Sequence, residues 1–274
     1  MHGKLAAIKN IIWALGIILC LLALLVGFLF AAFSKYDGSG QIDKGTQISK
    51  SEASDTPAVA PLTGTGDLRK LPETGDAGQS YIDSLTFLCD STLIGLRDYG
   101  LLAAGSATTQ VWGSQAGNIP VSSLSECTIR FPGDGSNKTA ADAASATKPA
   151  ILVVSLGSDG LPDATEEGFI NGYTALLNAI HAASPETVII CCSIPGVTVT
   201  YSGADGLTST MTNKANDWIR HVCEDTGVYY ADTADAITDQ AGGLLNDYAA
   251  ANGKTLNSAA LNEILSYLRT HALP

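Results

Sequence analysis

Ser91 follows directly on a short apolar run, residues 85–89, and stands between Asp90 and Thr92. A serine placed where a strand turns into a helix can act as a nucleophile, with helix N-terminal amides helping to hold an oxyanion. Other apolar runs end on similar residues. Trp112 is followed by Gly113, the run 151–156 by Gly157, Ser158 and Asp159, and the run 187–192 by Ser193, while 228–230 leads to Asp232 and Thr233. Serines and acids in such positions also cap helices, and that reading stands beside the nucleophilic one. Asp90, Asp159 and Asp232 are hard oxygen ligands of the kind a divalent cation takes, with capping or solvation as the ordinary alternative. The Trp112 indole could stack on a sugar face or fill the core.

The elements that must position these residues follow from periodicity. The runs at 85–89, 110–112, 151–156, 187–192 and 228–230 read as five strands. Between the third and fourth, Phe169, Ile170, Tyr173, Leu176, Leu177 and Ile180 recur at helical spacing over 166–183; the stretches 208–225 and 256–270 read as further helices. Short apolar strands alternating with amphipathic helices give a three-layer α/β/α sandwich on a five-stranded, mostly parallel sheet. The third and fourth runs are continuously apolar because helices cover both faces. In such a sheet ligands bind beyond the carboxyl ends of the strands, where Asp90, Ser91, Gly113, Asp159 and Asp232 fall.

The chain has 274 residues, with 15 Lys and Arg against 27 Asp and Glu, a net charge of −12. That balance speaks against a nucleic-acid partner, which would require clustered cations. Hydrophobic residues make up 46% and charged ones 15%, enough apolar matter for a sizeable core. Part of it is concentrated in an uncharged run, residues 11–33, opening at Ile11 and closing at Phe33. As a helix this run reaches roughly 34 Å, enough for a bilayer core of about 30 Å. Lys4 and Lys9 precede it without any acid, so residues 1–10 are expected in the cytoplasm and everything after Phe33 outside the cell membrane. Residues 34–80 read as a polar extracytoplasmic stalk, and 81–274 as the folded domain. Within the stalk, Leu71, Pro72, Glu73, Thr74 and Gly75 spell an LPxTG signal, but no apolar segment and basic tail follow it. Cys89, Cys127, Cys191, Cys192 and Cys223 are an odd set without scaffold or zinc spacing, so no disulfide framework, metal or cofactor is called for.

The block Phe87 to Leu96, with Asp90, Ser91 and Thr92 at its centre, resembles the first block of the SGNH/GDSL hydrolases. Cys89 stands where the family has Gly, and Ser91 falls on the nucleophile position. The resemblance continues through Gln110 to Gly113, Lys148-Pro149 and the following strand with Gly157 to Gly160, Phe169-Ile170 to Tyr173, and Ser184 to Thr187. It then takes in Ala215 to Ile219 and Tyr267 to Ala272. The chain is similar to membrane-anchored members from Gram-positive bacteria. The resemblance implies a flavodoxin-like fold and an ancestry in ester hydrolysis, often on carbohydrates.

Departures from the family pattern bear on activity. The oxyanion-hole Asn of the third block falls on Asp159, a carboxylate where a donor is needed. The last block's Asp-x-x-His becomes Asn252, Gly253, Lys254 and Thr255, so the orienting acid and the base are both replaced. His271 lies 16 residues beyond Thr255, about 24 Å along a helix. His181 and His221 end helices that lead into strands, at the opposite rim, and His2 is on the cytoplasmic side. A serine without a base is a poor nucleophile at neutral pH. The expectation is a tethered hydrolase-like domain with impaired or no esterase activity that binds cell-surface or extracellular glycan, with Asp90, Trp112, Gly113 and Asp232 as candidate ligand-binding residues. The alternative is an active serine esterase using Ser91 and a non-standard base.

Overall fold

A computed structural model of the chain describes residues 59–274. The expected tail, the span from Ile11 to Phe33 and the first part of the stalk lie outside the described residues. Among the described residues no helix is long and apolar enough to cross a membrane.

The elements in chain order are β1 (Arg69–Lys70), α1 (Gly78–Ser84), β2 (Leu85–Cys89), α2 (Gly95–Asp98), β3 (Val111–Trp112), β4 (Thr128–Arg130), β5 (Asn137–Thr139) and α3 (Ala140–Thr147). They continue with β6 (Ile151–Ser155), α4 (Glu166–Ala183), β7 (Val188–Cys192), α5 (Ser209–Thr226), β8 (Tyr229–Ala231) and α6 (Ser258–Thr270). The main sheet has the order β1-β8-β7-β6-β2-β3, with every pairing parallel, and β4 and β5 form a small antiparallel pair beside it.

Side chains alternate between the two faces of the central strands, as a pleated strand requires. Leu88, Leu152, Val154, Cys191 and Tyr230 face a core shared with α3, α4 and α5. Phe87, Cys89, Val153, Ile190 and Cys192 face a second core shared with α1, α2 and α6. Both faces are apolar because both are covered, which is the three-layer sandwich expected. The long helices start at side-chain caps: Thr165 accepts from Gly168 N, Thr208 from Met211 N and Asn257 from Ala260 N. All five described cysteines are free and buried.

Two expectations are corrected. The sheet has six strands, not five, because β1 adds to β8 at the edge, Arg69 beside Tyr229 and Lys70 beside Tyr230. Residues 59–80, assigned to the stalk, belong to the domain. Leu62 N donates to Asn178 Oδ1 at 2.8 Å, Gly64 N to Asp225 O at 2.6 Å, and Leu71 is 2% exposed. The LPxTG residues are part of this attachment. Leu71 enters the core, Thr74 N donates to Thr270 O, and Thr74 Oγ1 accepts from Ala272 N.

Candidate functional site

β2 and β6 run side by side, and their register places Cys89 opposite Ser155. The residues just past each strand therefore meet at one rim. Asp90 is fully buried there. Its Oδ1 accepts from Thr92 N and Thr92 Oγ1 at 2.9 and 2.6 Å, and its Oδ2 from Gly157 N and Ser158 N at 2.9 and 3.0 Å. The bonds from Thr92 close the turn after β2 on itself, and the two from Gly157 and Ser158 tie it to the turn after β6. Burial, and then the charge of Asp159, push the Asp90 carboxyl up to about 6 against the pull of its donors.

Asp159 lies directly on Ser91. Ser91 Oγ donates to Asp159 Oδ1 at 2.6 Å, while Ser91 N and Ile119 N both donate to Oδ2 at 3.1 Å. An oxygen held by two backbone amides, one of them the serine's own, is what an oxyanion hole offers to charge developing on a substrate. Here the oxygen held by the two amides is a carboxylate oxygen of the chain itself. Asp159 is 8% exposed, and its own backbone oxygen accepts from Val121 N at 2.8 Å, which fixes the 119–121 segment against it.

A narrow cleft beside Ser91 is lined by Thr92, Ser158, Leu207, Lys254 and Thr255 among others. The fold thus still brings Thr255 to the serine, although its hydroxyl cannot serve as a base. Asn252 is exposed and turned into its own loop, with Oδ1 accepting from Lys254 N and Thr255 N and Nδ2 donating to Thr255 Oγ1 at 2.8 Å. Gly253 adopts φ +72°, and a Cβ there would lie 2.6 Å from Thr198 Oγ1, so the loop packs tightly on the segment after β7. Lys254 Nζ is held by Asp205 Oδ2 at 2.8 Å. Burial lowers the Lys254 pKa, but the Asp205 carboxylate outweighs it and the net shift is upward, so the amine stays protonated at neutral pH.

The other candidate ligand-binding residues do not join this cleft. Trp112 is 2% exposed and packs edge-on against Phe131 at 6.4 Å, so its indole is core and cannot stack on a sugar. Gly113 is buried, and a Cβ on it would come 2.5 Å from Ile94 Cδ1. Asp90 has spent its lone pairs on its own turns. Asp232 pairs with Lys70 Nζ at 3.0 Å and borders a separate hollow with Asp235 and Asp239. The three acids considered as cation ligands are therefore not gathered, and among the described residues no group of three or more His, Cys, Asp or Glu is placed to hold a metal.

No described histidine lines the cleft. His181 borders a hollow with Arg69 and Gly227, His221 meets Glu224 and Asp225, and His271 stacks on Tyr267 at 3.8 Å. Sequence reasoning missed Ile119, which contributes only a backbone amide, and the pair Lys254 and Asp205. Lys254 sits inside the Asn252 to Thr255 block, so its place in the motif was a signal; Asp205 carried none.

A family model described as the GDSL-like lipase/acylhydrolase family matches residues 83–260, more than half of the chain. Among solved structures, a Streptococcus pneumoniae protein assigned as a platelet activating factor is similar with TM-score 0.51 and 17% identity, over 68% of this chain and 82% of its own. A Bacteroides fragilis protein assigned as an acylhydrolase is similar with TM-score 0.50 and 9% identity, over 72% of this chain and 88% of its own. At such identities the likeness speaks for the fold alone. No curated protein matches the chain significantly. With its three-layer fold and the extent of the family match, the chain belongs to the GDSL-like lipase/acylhydrolase family.

Proposed function

We propose that this chain is a membrane-tethered, extracytoplasmic family member whose serine site binds glycan instead of hydrolysing esters. The observation that carries the loss of turnover is Asp159, which takes both the Ser91 hydroxyl and the Ser91 amide. Attack by Ser91 on an ester needs a donor-lined hole for the carbonyl oxygen and a base for the serine proton. The hole is filled by an anion, and the base position is a threonine. Losing one oxyanion donor alone costs about 100- to 1,000-fold in turnover, and loss of triad members costs further orders of magnitude. Glycan binding is supported by the hydroxyls of Ser91, Thr92, Ser158 and Thr255 in the cleft, which suit a polyhydroxylated ligand. The tether is supported by the uncharged run from Ile11 to Phe33.

The second reading, an active serine esterase, has one observation in its favour: Asp159 Oδ1 lies 2.6 Å from Ser91 Oγ, within reach of its proton. The two readings separate in an assay of the full chain in detergent with p-nitrophenyl acetate. Turnover is expected near the uncatalysed background, with Ser91→Ala changing it little. Robust turnover abolished by Ser91→Ala would establish the esterase and end the binding-only reading.

A further inference from the structure

We infer that Asp159 sets the specificity of the Ser91 cleft, making it a reader of free glycan hydroxyls that discriminates against acylated ones. This rests on the glycan reading above and names the chemical form of the ligand.

The inference starts from the partners of Asp159. All three groups that meet its carboxylate, Ser91 N, Ser91 Oγ and Ile119 N, are donors, and a carboxylate can only accept. Ser91 has one hydroxyl proton, and that proton is given to Asp159 at 2.6 Å. What Ser91 offers the cleft is therefore lone pairs. Thr255, lining the same cleft, is in the opposite condition: its Oγ1 accepts from Asn252 Nδ2 and keeps its own proton to give. A ligand group that satisfies Ser91 and Thr255 together must donate to one and accept from the other.

A sugar hydroxyl does both. An ester oxygen only accepts, so an acylated position leaves the Ser91 lone pairs facing a group with no proton. The two amides that would receive the ester carbonyl are already taken by Asp159 Oδ2. Leaving a desolvated polar group unmatched is costly, while a matched hydrogen bond is only modestly favourable, so the discrimination arises mainly from rejection of the ester. The same substitution that removes the hydrolytic hole thus reverses what the site accepts, from ester to free hydroxyl.

The test measures binding of the full chain in detergent to peptidoglycan purified from a Gram-positive cell wall, before and after mild alkaline removal of its O-acetyl esters. Binding to the de-esterified polymer is expected to be tighter by about tenfold, the effect of one unmatched polar group. Asp159→Asn frees an amide donor and should abolish or invert the preference. Ser91→Ala, which removes the lone pairs but leaves Asp159 on the Ile119 amide, should abolish it as well and serves if Asp159→Asn fails to fold. Equal binding to both polymers, or preference of the native chain for the acetylated one, would overturn the specificity while leaving glycan binding intact. Binding to neither polymer would instead overturn the glycan reading, and this inference with it.

Discussion

Asp90 is a buried carboxylate that feels a second carboxylate, Asp159, across the site, and this has a consequence for stability. Its pKa is raised to about 6, first by burial and then by Asp159, above the ordinary value of 3.8. The folded state therefore holds the Asp90 proton more tightly than the unfolded state. Its contribution is fully present below about pH 4 and is lost as pH rises through about 6, a change on the order of 3 kcal/mol. Other perturbed acids act elsewhere in pH. Asp134, held low by Ser136 and Lys138, and Asp205, held low by Lys254 and Tyr201, lose their contributions only as pH falls below the ordinary carboxylate range. Urea unfolding should thus show stability falling between pH 4 and 6. Asp159→Asn removes the neighbouring charge and should move that fall to lower pH. Superimposable pH profiles for native and Asp159→Asn proteins would show that the two carboxylates do not interact.

At the scale of elements, the segment leading into β1 belongs to the domain without carrying an apolar period, and its packing shows how it is held. Gly64 approaches the end of α5 so closely that a Cβ would come 1.7 Å from Glu224 O, and its amide donates to Asp225 O. Gly64→Ala should destabilise the domain by about 1 to 3 kcal/mol, the usual cost of overpacking, read as a shift in the urea midpoint. An unaltered midpoint would mean that the segment is not held as described. β1 was illegible because Arg69 and Lys70, both exposed, carry no apolar signal, as befits an edge strand that need not be covered. By contrast β2, β6 and β7 were legible as continuous apolar runs, and α4 as a 3.6-residue period, because burial on both sheet faces or on one helix stripe leaves a pattern in side-chain type. Trp112 was legible as a strand residue but not as core. Its position at the end of β3 allowed either side of the rim, and only the packing of Phe131 decides it. Motif order singled out Ser91, Asp159 and Thr255, which the fold brings to one rim. It could not find the Ile119 amide, which any residue type supplies, nor the union of Lys254 with Asp205, which are distant in sequence.

For the whole molecule, the remaining question is how an acidic domain would stay at a membrane. A chain of net charge −12 is repelled by anionic lipid surfaces, so surface electrostatics cannot hold it there. Among the described residues no helix is long and apolar enough to span a bilayer. The proposed attachment is assigned to the run from Ile11 to Phe33, and its direction to Lys4 and Lys9. Two measurements follow. Deleting residues 1–33 should move the protein from the membrane pellet to the supernatant after alkaline carbonate extraction, whereas a truncated chain that stays in the pellet would place the anchor elsewhere. In intact cells, added protease should remove a C-terminal tag and spare an N-terminal one, because the proposed orientation keeps the positively charged end in the cytoplasm and puts the acidic domain outside. A protected C-terminal tag would reverse the orientation, place the Ser91 cleft on the cytoplasmic side, and remove cell-wall glycan as its ligand.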